Sequence, residues 1–231
     1  GKFDINLAYR KSLHIKSARV NSFFIPDIND STDWGAALEG VSVVIHAAGR
    51  AHVLHEIEKN PMDEYRKTNV QGTLALAKQA IDRGVNRFLF ISSIGVNGKS
   101  NHKPFTCDDI PAPTEDYAIS KYEAENALVA LAKETDMELV IIRPPLVYGP
   151  GAPGNFERLN KLVSTGFPLP FGSINNKRSF ISLDNLVDLI CVCINHQNAK
   201  GQIFLVSDDV DLSTTELLQG MAKALGQPSR L

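Results

Sequence analysis

Several things are scarce in these 231 residues, and each scarcity excludes something. No apolar run reaches the roughly 20 residues that a membrane-spanning helix needs. Charge of one sign is missing too: 24 Lys and Arg stand against 26 Asp and Glu, for a net charge of −2. Without a basic excess there is no electrostatic footprint for nucleic acid or an anionic membrane. Cysteine is rare, with only Cys107, Cys191 and Cys193. An odd, unevenly spaced set argues against a disulfide framework and for a reducing, cytoplasmic compartment. Cys191 and Cys193 lie in the apolar run "LVDLICVCI", where His196 alone does not complete a metal site, so both read as small buried hydrophobes. His52 and His55 stand three apart with no third ligand in view and read as ordinary loop histidines, so no metal is expected. No signal peptide is visible, though the opening "GKFDINLAYR" without Met does not read as a natural start, and there is no internal repeat or low-complexity stretch in these 231 residues.

What is present suits one large globular domain, or one with a small lobe: 43% hydrophobic and 22% charged residues. Short β-branched runs alternate with longer amphipathic ones. "DINLAY", "NSFFIP", "VSVVIHAAG", "RFLFISS" and "ELVIIRPP" read as strands. "TDWGAALEG" reads as a short helix stopped by Gly40. Residues 60–83 read as a longer helix, with Val70, Leu74, Ala77 and Ile81 on one face, and 115–135 as another. Strand and helix in alternation imply right-handed crossovers and a doubly wound parallel α/β sheet, with ligands at the carboxyl ends of its strands. Those ends are "HAAGR", "SSIGVNG" and "RPPLVYGPG". The pattern loosens after residue 150, so residues 1–150 are expected to form the main domain and 151–231 mainly a smaller lobe, some of whose segments rejoin the sheet. Helices are expected at 155–165, 183–196 and 214–225, and a strand at "QIFLVSD".

"EDYAISKYEAE" places Tyr117 four residues before Lys121, one helical turn apart on the same face. An ammonium beside a phenol favours the phenolate and draws a tyrosine down from its usual value of about 10. Such a tyrosine can serve as general acid or base at a carbinol oxygen. Ser92 and Ser93 close the strand immediately upstream. The plain alternative is two solvated side chains on a helix surface.

These pieces, together with "PDI" at 26–28, "VVIHAAG" at 43–49, "NVQGT" at 69–73, "FISSIGVNG" at 90–98, "YAISK" at 117–121, "IIRPPLVYGPG" at 141–151 and "RSFISLDNLVDLI" at 178–190, resemble the extended short-chain dehydrogenase/reductases. Within these, the resemblance is to the NAD-dependent epimerase/dehydratase family that acts on nucleotide sugars. It implies a Rossmann-like domain that binds NAD or NADP and a lobe that binds substrate. It assigns Tyr117 as acid/base, Lys121 to the tyrosine and the nicotinamide ribose, and Ser93 to the reacting sugar oxygen, with Ser92 structural. Asp27 and Ile28 match the adenine contacts, Ala47, Ala48 and Gly49 the cofactor backbone, and Pro144 and Val147 the loop over the nicotinamide. Asn69 is either a ligand contact or a backbone clamp. Asn155 is either a diphosphate contact or a helix cap, Arg178 a diphosphate contact or a surface arginine, and Phe171 a packing face for the base or core.

The family opens with a strand and a Gly-x-x-Gly-x-x-Gly turn that this chain lacks, so the expectation is an incomplete version of a longer protein that binds dinucleotide poorly as it stands. At the end of the second strand an acidic residue is replaced by Tyr9, followed by Arg10 and Lys11, a basic cluster that favours NADP. Dehydratases carry an Asp-Glu pair after the strand-end Ser/Thr; here Ile94 and Gly95 stand there, which argues against dehydration. Asn97 replaces the commoner tyrosine of Val-Tyr-Gly, outside the acid/base set. The resemblance therefore implies a UDP-hexose 4-epimerase type of reaction. An NADPH-dependent UDP-4-keto-6-deoxy-sugar reductase of surface polysaccharides is the first alternative and a non-catalytic NADP sensor the second. A reductase of an uncharged, lipid-like ketone is disfavoured, because such a substrate needs no diphosphate clamp. A homodimer through the helices at 60–83 and 115–135 is the expected assembly.

Overall fold

The longest apolar runs of the sequence become the interior strands of a parallel sheet. In the computed structural model, which describes residues 3–10, 17–51, 60–150 and 155–230, the chain forms two units. Gly1–Arg143 with Val192–Leu205 make the first, and Pro144–Cys191 with Val206–Leu231 the second.

In the first unit, β1 (Ile5–Tyr9) pairs in parallel with β2 (Val20–Phe24), Ile5 opposite Val20. A separate parallel sheet runs in the order β3 (Val43–His46), β4 (Arg87–Ile91), β5 (Glu138–Arg143) and β8 (Ile203–Leu205). Phe88 faces Val44 on one side and Leu139 on the other. Phe88, Leu89 and Phe90 are wholly buried, as an uninterrupted apolar run requires when both faces of a strand are covered. Each such side chain contributes about 1.5–3 kcal/mol. Among the described residues no ladder joins β1 to β3, so each of these strands keeps one unpaired edge. Trp34, Leu76, Ala80, Leu128 and Ile141 close the core over Phe88 and Phe90.

The expected helix over 60–83 is present with an interruption. It consists of α1 (Pro61–Tyr65), a π-helical turn (Arg66–Gln71) and α2 (Gly72–Asp82). Proline suits the first position of α1, where its missing N–H has no partner to lose. The π turn shifts the buried face to Tyr65, Asn69, Thr73, Leu76, Ala77 and Ala80. A glycine is required at 72, where a Cβ would lie 2.5 Å from Ile28 Cγ2. α3 (Asp116–Lys133) buries an unusual face, polar at Ser120, Lys121 and Glu125 and apolar at Ala118, Ala124 and Leu128.

Two local expectations are corrected. The segment "TDWGAALEG" forms turns rather than a helix. Trp34, Ala37 and Leu38 are buried at helical spacing, but long-range bonds capture the backbone: Trp34 N donates to Gln79 Oε1 at 2.8 Å, and Arg83 Nη1 donates to Gly35 O at 2.8 Å. Cys191 is exposed while Cys193 is buried, because residues two apart on a helix point to different sides.

In the second unit, β6 (Leu146–Tyr148) pairs in parallel with β7 (Phe180–Ser182). α4 (Asn155–Ser164) and α6 (Thr214–Ala224) enclose a small core of Val163, Leu169, Leu218, Met221 and Ala222. A reciprocal capping box of Ser213 and Glu216 starts α6. α5 (Leu183–Asn195) carries the chain back to the first unit, where β8 adds to β5.

Candidate active site

β4 ends at the serine pair. Ser92 N donates to Ile142 O at 2.7 Å, and its buried Oγ has no hydrogen-bond partner among the described residues. Ser93 is extended and caps a 3-10 turn, Ile94–Val96, with its Oγ accepting from Gly95 N at 3.1 Å. A hydroxyl has one donor and two acceptor sites, so this bond leaves Ser93 with capacity to bind another oxygen. Gly95 lets the turn sit against α3: a Cβ there would lie 3.2 Å from Ala118 Cβ and 3.4 Å from Ser93 Oγ. The turn that carries Ser93 and the first turn of α3 are therefore in direct contact.

Tyr117 and Lys121 occupy that first stretch of α3. Lys121 is only 3% exposed. Its Nζ donates to Ile91 O at 2.9 Å, lies 4.5 Å from the Phe90 ring centroid and 6.0 Å from that of Tyr117. Burial pulls the ammonium down to about 8, with the Glu125 carboxylate acting in the opposite direction. The Tyr117 phenol is pushed up, first by burial and then by neighbouring Tyr65, whose ring stands edge-on at 6.4 Å. This direction is opposite to the one expected from the Tyr-x-x-x-Lys spacing. Loss of water around the phenol sets the direction, because desolvation disfavours the phenolate.

At the end of β3, Ala47, Ala48 and Gly49 are exposed and small. A Cβ on Gly49 would lie 2.9 Å from Asn69 Oδ1 and 3.3 Å from Lys121 Nζ, so only a bare backbone fits between these groups. Asn69 is 1% exposed and its amide is fully engaged. Its Oδ1 accepts from Arg50 N at 2.7 Å, and its Nδ2 donates to Arg50 O and Ser120 Oγ, both at 2.9 Å. The geometry is that of a backbone clamp on the loop after β3. His46, just before this loop, is buried against Phe90, and its Nε2 lies 2.9 Å from Thr73 Oγ1. Burial, then the Lys121 charge, lowers it to about 3, so it is neutral throughout the useful pH range.

The other expected positions are placed as follows. Arg10 is exposed at the end of β1. Asp27 turns its carboxylate onto its own loop, accepting from Ile28 N at 2.9 Å and Asn29 Nδ2 at 3.0 Å. Pro144 is buried and Val147 lies on β6, both in the second unit. Arg178 is exposed and bridges Leu212 through the backbone. Phe171 packs on the core of the second unit. Asn155 begins α4, its side chain outside the described residues, as are His52 and His55.

Sequence reasoning passed over Glu125 and Arg143 and set Asn97 outside the acid/base set; all three are buried. Arg143 grips Glu125 in a bidentate pair and reaches Asn97 Oδ1 at 2.9 Å. The available signal was spacing: Glu125 is four residues beyond Lys121, on the same face of α3.

A parallel α/β sheet, with a serine at one strand end and the helix that carries Tyr117 and the buried Lys121 against it, makes a Rossmann-like fold. The family model "NAD dependent epimerase/dehydratase family" matches residues 5–207, and the chain belongs to this family. It is 55% identical over 210 residues to a UDP-glucose 4-epimerase of Vibrio cholerae, an alignment covering 90% of this chain and 64% of that relative. It spans 52% and 60% of two further curated relatives. In fold it matches MoeE5 in complex with UDP-glucuronic acid and NAD, with a TM-score of 0.82 and 23% identity over 96% of this chain and 74% of that one. It also matches a UDP-glucuronic acid 4-epimerase from Bacillus cereus in complex with NAD, with a TM-score of 0.79 and 22% identity over 92% and 68% of the two chains.

Proposed function

We propose that the protein of which this chain is part is a nucleotide-sugar 4-epimerase. The observation that carries this reading is Lys121, buried one turn from Tyr117 while the Ser93 turn rests on the same helix. The residues that would hold a dinucleotide backbone are the small, exposed Ala47, Ala48 and Gly49 at the end of β3, beside the buried Lys121 Nζ. A bound nicotinamide would supply hydride exchange at the sugar C4. Ser93 holds the C4 oxygen, and Tyr117 passes a proton to or from it. Lys121, whose Nζ lies 6.0 Å from the Tyr117 ring centroid, would hold the ribose. Charge on Arg10 supports a ribose 2′-phosphate, so the reading favours NADP over NAD, although the MoeE5 and Bacillus cereus structures hold NAD. Arg178, Asn155 and Phe171 are the proposed diphosphate and base contacts of a UDP-linked substrate. The 55% identity to a UDP-glucose 4-epimerase supports epimerisation over reduction. Gly95, packed on Ala118, leaves no acidic group for dehydration where that chemistry would need one.

The test is to incubate the full-length protein with UDP-glucose without added cofactor, then with NADPH and a UDP-4-keto-6-deoxy sugar, following products by NMR. Turnover in the first mixture supports the epimerase. Turnover only in the second, with stoichiometric loss of NADPH, replaces it with a 4-keto reductase. No turnover in either, with NADP bound, points to a sensor. Arg10→Ser is expected to weaken NADP and leave NAD unchanged, and Arg178→Ala to weaken UDP binding. Unchanged affinities would remove both assignments.

A further inference from the structure

Three side chains that touch neither the sugar nor the nucleotide in this reading are linked end to end beneath the site. Glu125 is 2%, Arg143 2% and Asn97 3% exposed. Arg143 Nε donates to Glu125 Oε1 at 3.0 Å and Nη2 to Oε2 at 2.6 Å. Its remaining arm, Nη1, donates to Asn97 Oδ1 at 2.9 Å. Asn97 Nδ2 in turn donates to Thr106 O at 3.0 Å. Each residue belongs to a different element: Glu125 to α3, Arg143 to the end of β5, and Asn97 to the turn that begins at Ser93. Asn97 N donates to Ile94 O at 2.9 Å and Val96 N to Ser93 O at 3.1 Å, so the amide that Arg143 holds is rigidly connected to Ser93.

We propose that Arg143 is a spacer that fixes the Ser93 turn against the Tyr117–Lys121 helix through Asn97 and Glu125, making all three positioning residues for the reaction proposed above, on which this inference rests.

Stability alone does not account for the arrangement. A buried ion pair is costly to desolvate, and apolar side chains of the same volume often hold a core as well or better. A planar guanidinium adds direction, because its fork fixes both distance and angle at each end. Glu125 lies about 12 Å along the helix from Tyr117, at about 1.5 Å per residue, so its influence on the proton transfer passes through α3. Asn97 lies four residues beyond Ser93, and the amide presents one oxygen to Arg143 and one N–H to Thr106.

The experiment uses full-length protein carrying Asn97→Ala, Asn97→Asp or Tyr117→Phe, with two readouts. One is amide exchange at Gly95 and Val96; the other is interconversion of UDP-glucose and UDP-galactose followed by NMR. Asn97→Ala is expected to raise exchange at both amides and lower kcat by about 10- to 100-fold with little change in KM. Asn97→Asp keeps an acceptor for Arg143 but loses the donor to Thr106 O, and is expected to restore part of both. Unchanged exchange and kcat in Asn97→Ala overturn the proposal, as do equal losses in Asn97→Ala and Asn97→Asp, which would mark a merely structural role. If Tyr117→Phe retains full activity, the assigned chemistry fails. The exchange data then decide the positioning role by themselves.

Discussion

Lys121 Nζ donates to the Ile91 carbonyl at 2.9 Å, tying α3 to the last residue of β4. The ammonium is buried and its proton is held only to about pH 8, below the 10.5 of a solvated lysine. Between these values the unfolded chain holds a proton that the folded chain has released. Stability gained from this group is therefore absent below pH 8 and rises as pH climbs toward 10.5. Against Lys121→Met, the wild-type protein should gain up to about 1.4 kcal/mol per pH unit over that window in urea unfolding. A difference that stays flat from pH 8 to 10 would contradict the burial argument.

His46 gives the opposite end of the pH scale. Its folded value of about 3 lies below the usual 6.5. Here the unfolded chain takes up a proton that the folded chain refuses as pH falls through 6.5 toward 3. Stability from neutral His46 is complete above 6.5 and lost below it. His46→Gln, which keeps a polar partner for Thr73, should move the acid-unfolding midpoint to lower pH, as followed by circular dichroism. An unmoved midpoint would show that other groups set it.

Gly95 offers a steric test. A methyl group there meets Ala118 Cβ at 3.2 Å, closer than such atoms normally approach, so the Ser93 turn must lift by a few tenths of an ångström. Gly95→Ala should lower kcat about tenfold. Ala118→Gly in the same chain should recover most of the loss. Equal activity in the single and double variants would show that the contact is slack.

Arg87 caps the end of α5 from within the sheet. Its Nη1 donates to the carbonyls of Cys193 at 2.6 Å, Ile194 at 2.9 Å and His196 at 3.1 Å, while its other nitrogens pair with Glu138. Arg87→Ala leaves those carbonyls and the carboxylate without their cation and should cost about 3 kcal/mol in urea unfolding. Arg87→Lys, a single point charge, should recover less than half of this.

Much of the frame was legible because its signals are local. "RFLFISS" and "ELVIIR" announce strands covered on both faces, and β4 and β5 pair in parallel at the centre of their sheet. The same local signal misled at "TDWGAALEG", where Trp34 and Leu38 have helical spacing but Gln79 and Arg83, some 45 residues away, take the backbone groups. Lys121 and Tyr117 were legible as a spacing. The direction of the phenol's shift was not, since it depends on how much water Tyr65 and the surrounding core exclude. Asn97 was visible only as a departure from the family pattern, because its partner Arg143 lies 46 residues further on. No pattern of local periodicity joins two residues across that distance.

The π turn at Arg66–Gln71 has a consequence for how this segment tolerates change in length. An α-helix turns by about 100° per residue, so removing Val70 or Gln71 while the π turn persists would rotate everything upstream, Tyr65 and Asn69 included, relative to α2 by that amount. Asn69 would swing away from the Arg50 peptide it clamps, and Tyr65 away from Tyr117. Point substitutions in this segment alter one contact at a time. A single-codon deletion would misalign the whole set, so length here is constrained more tightly than composition.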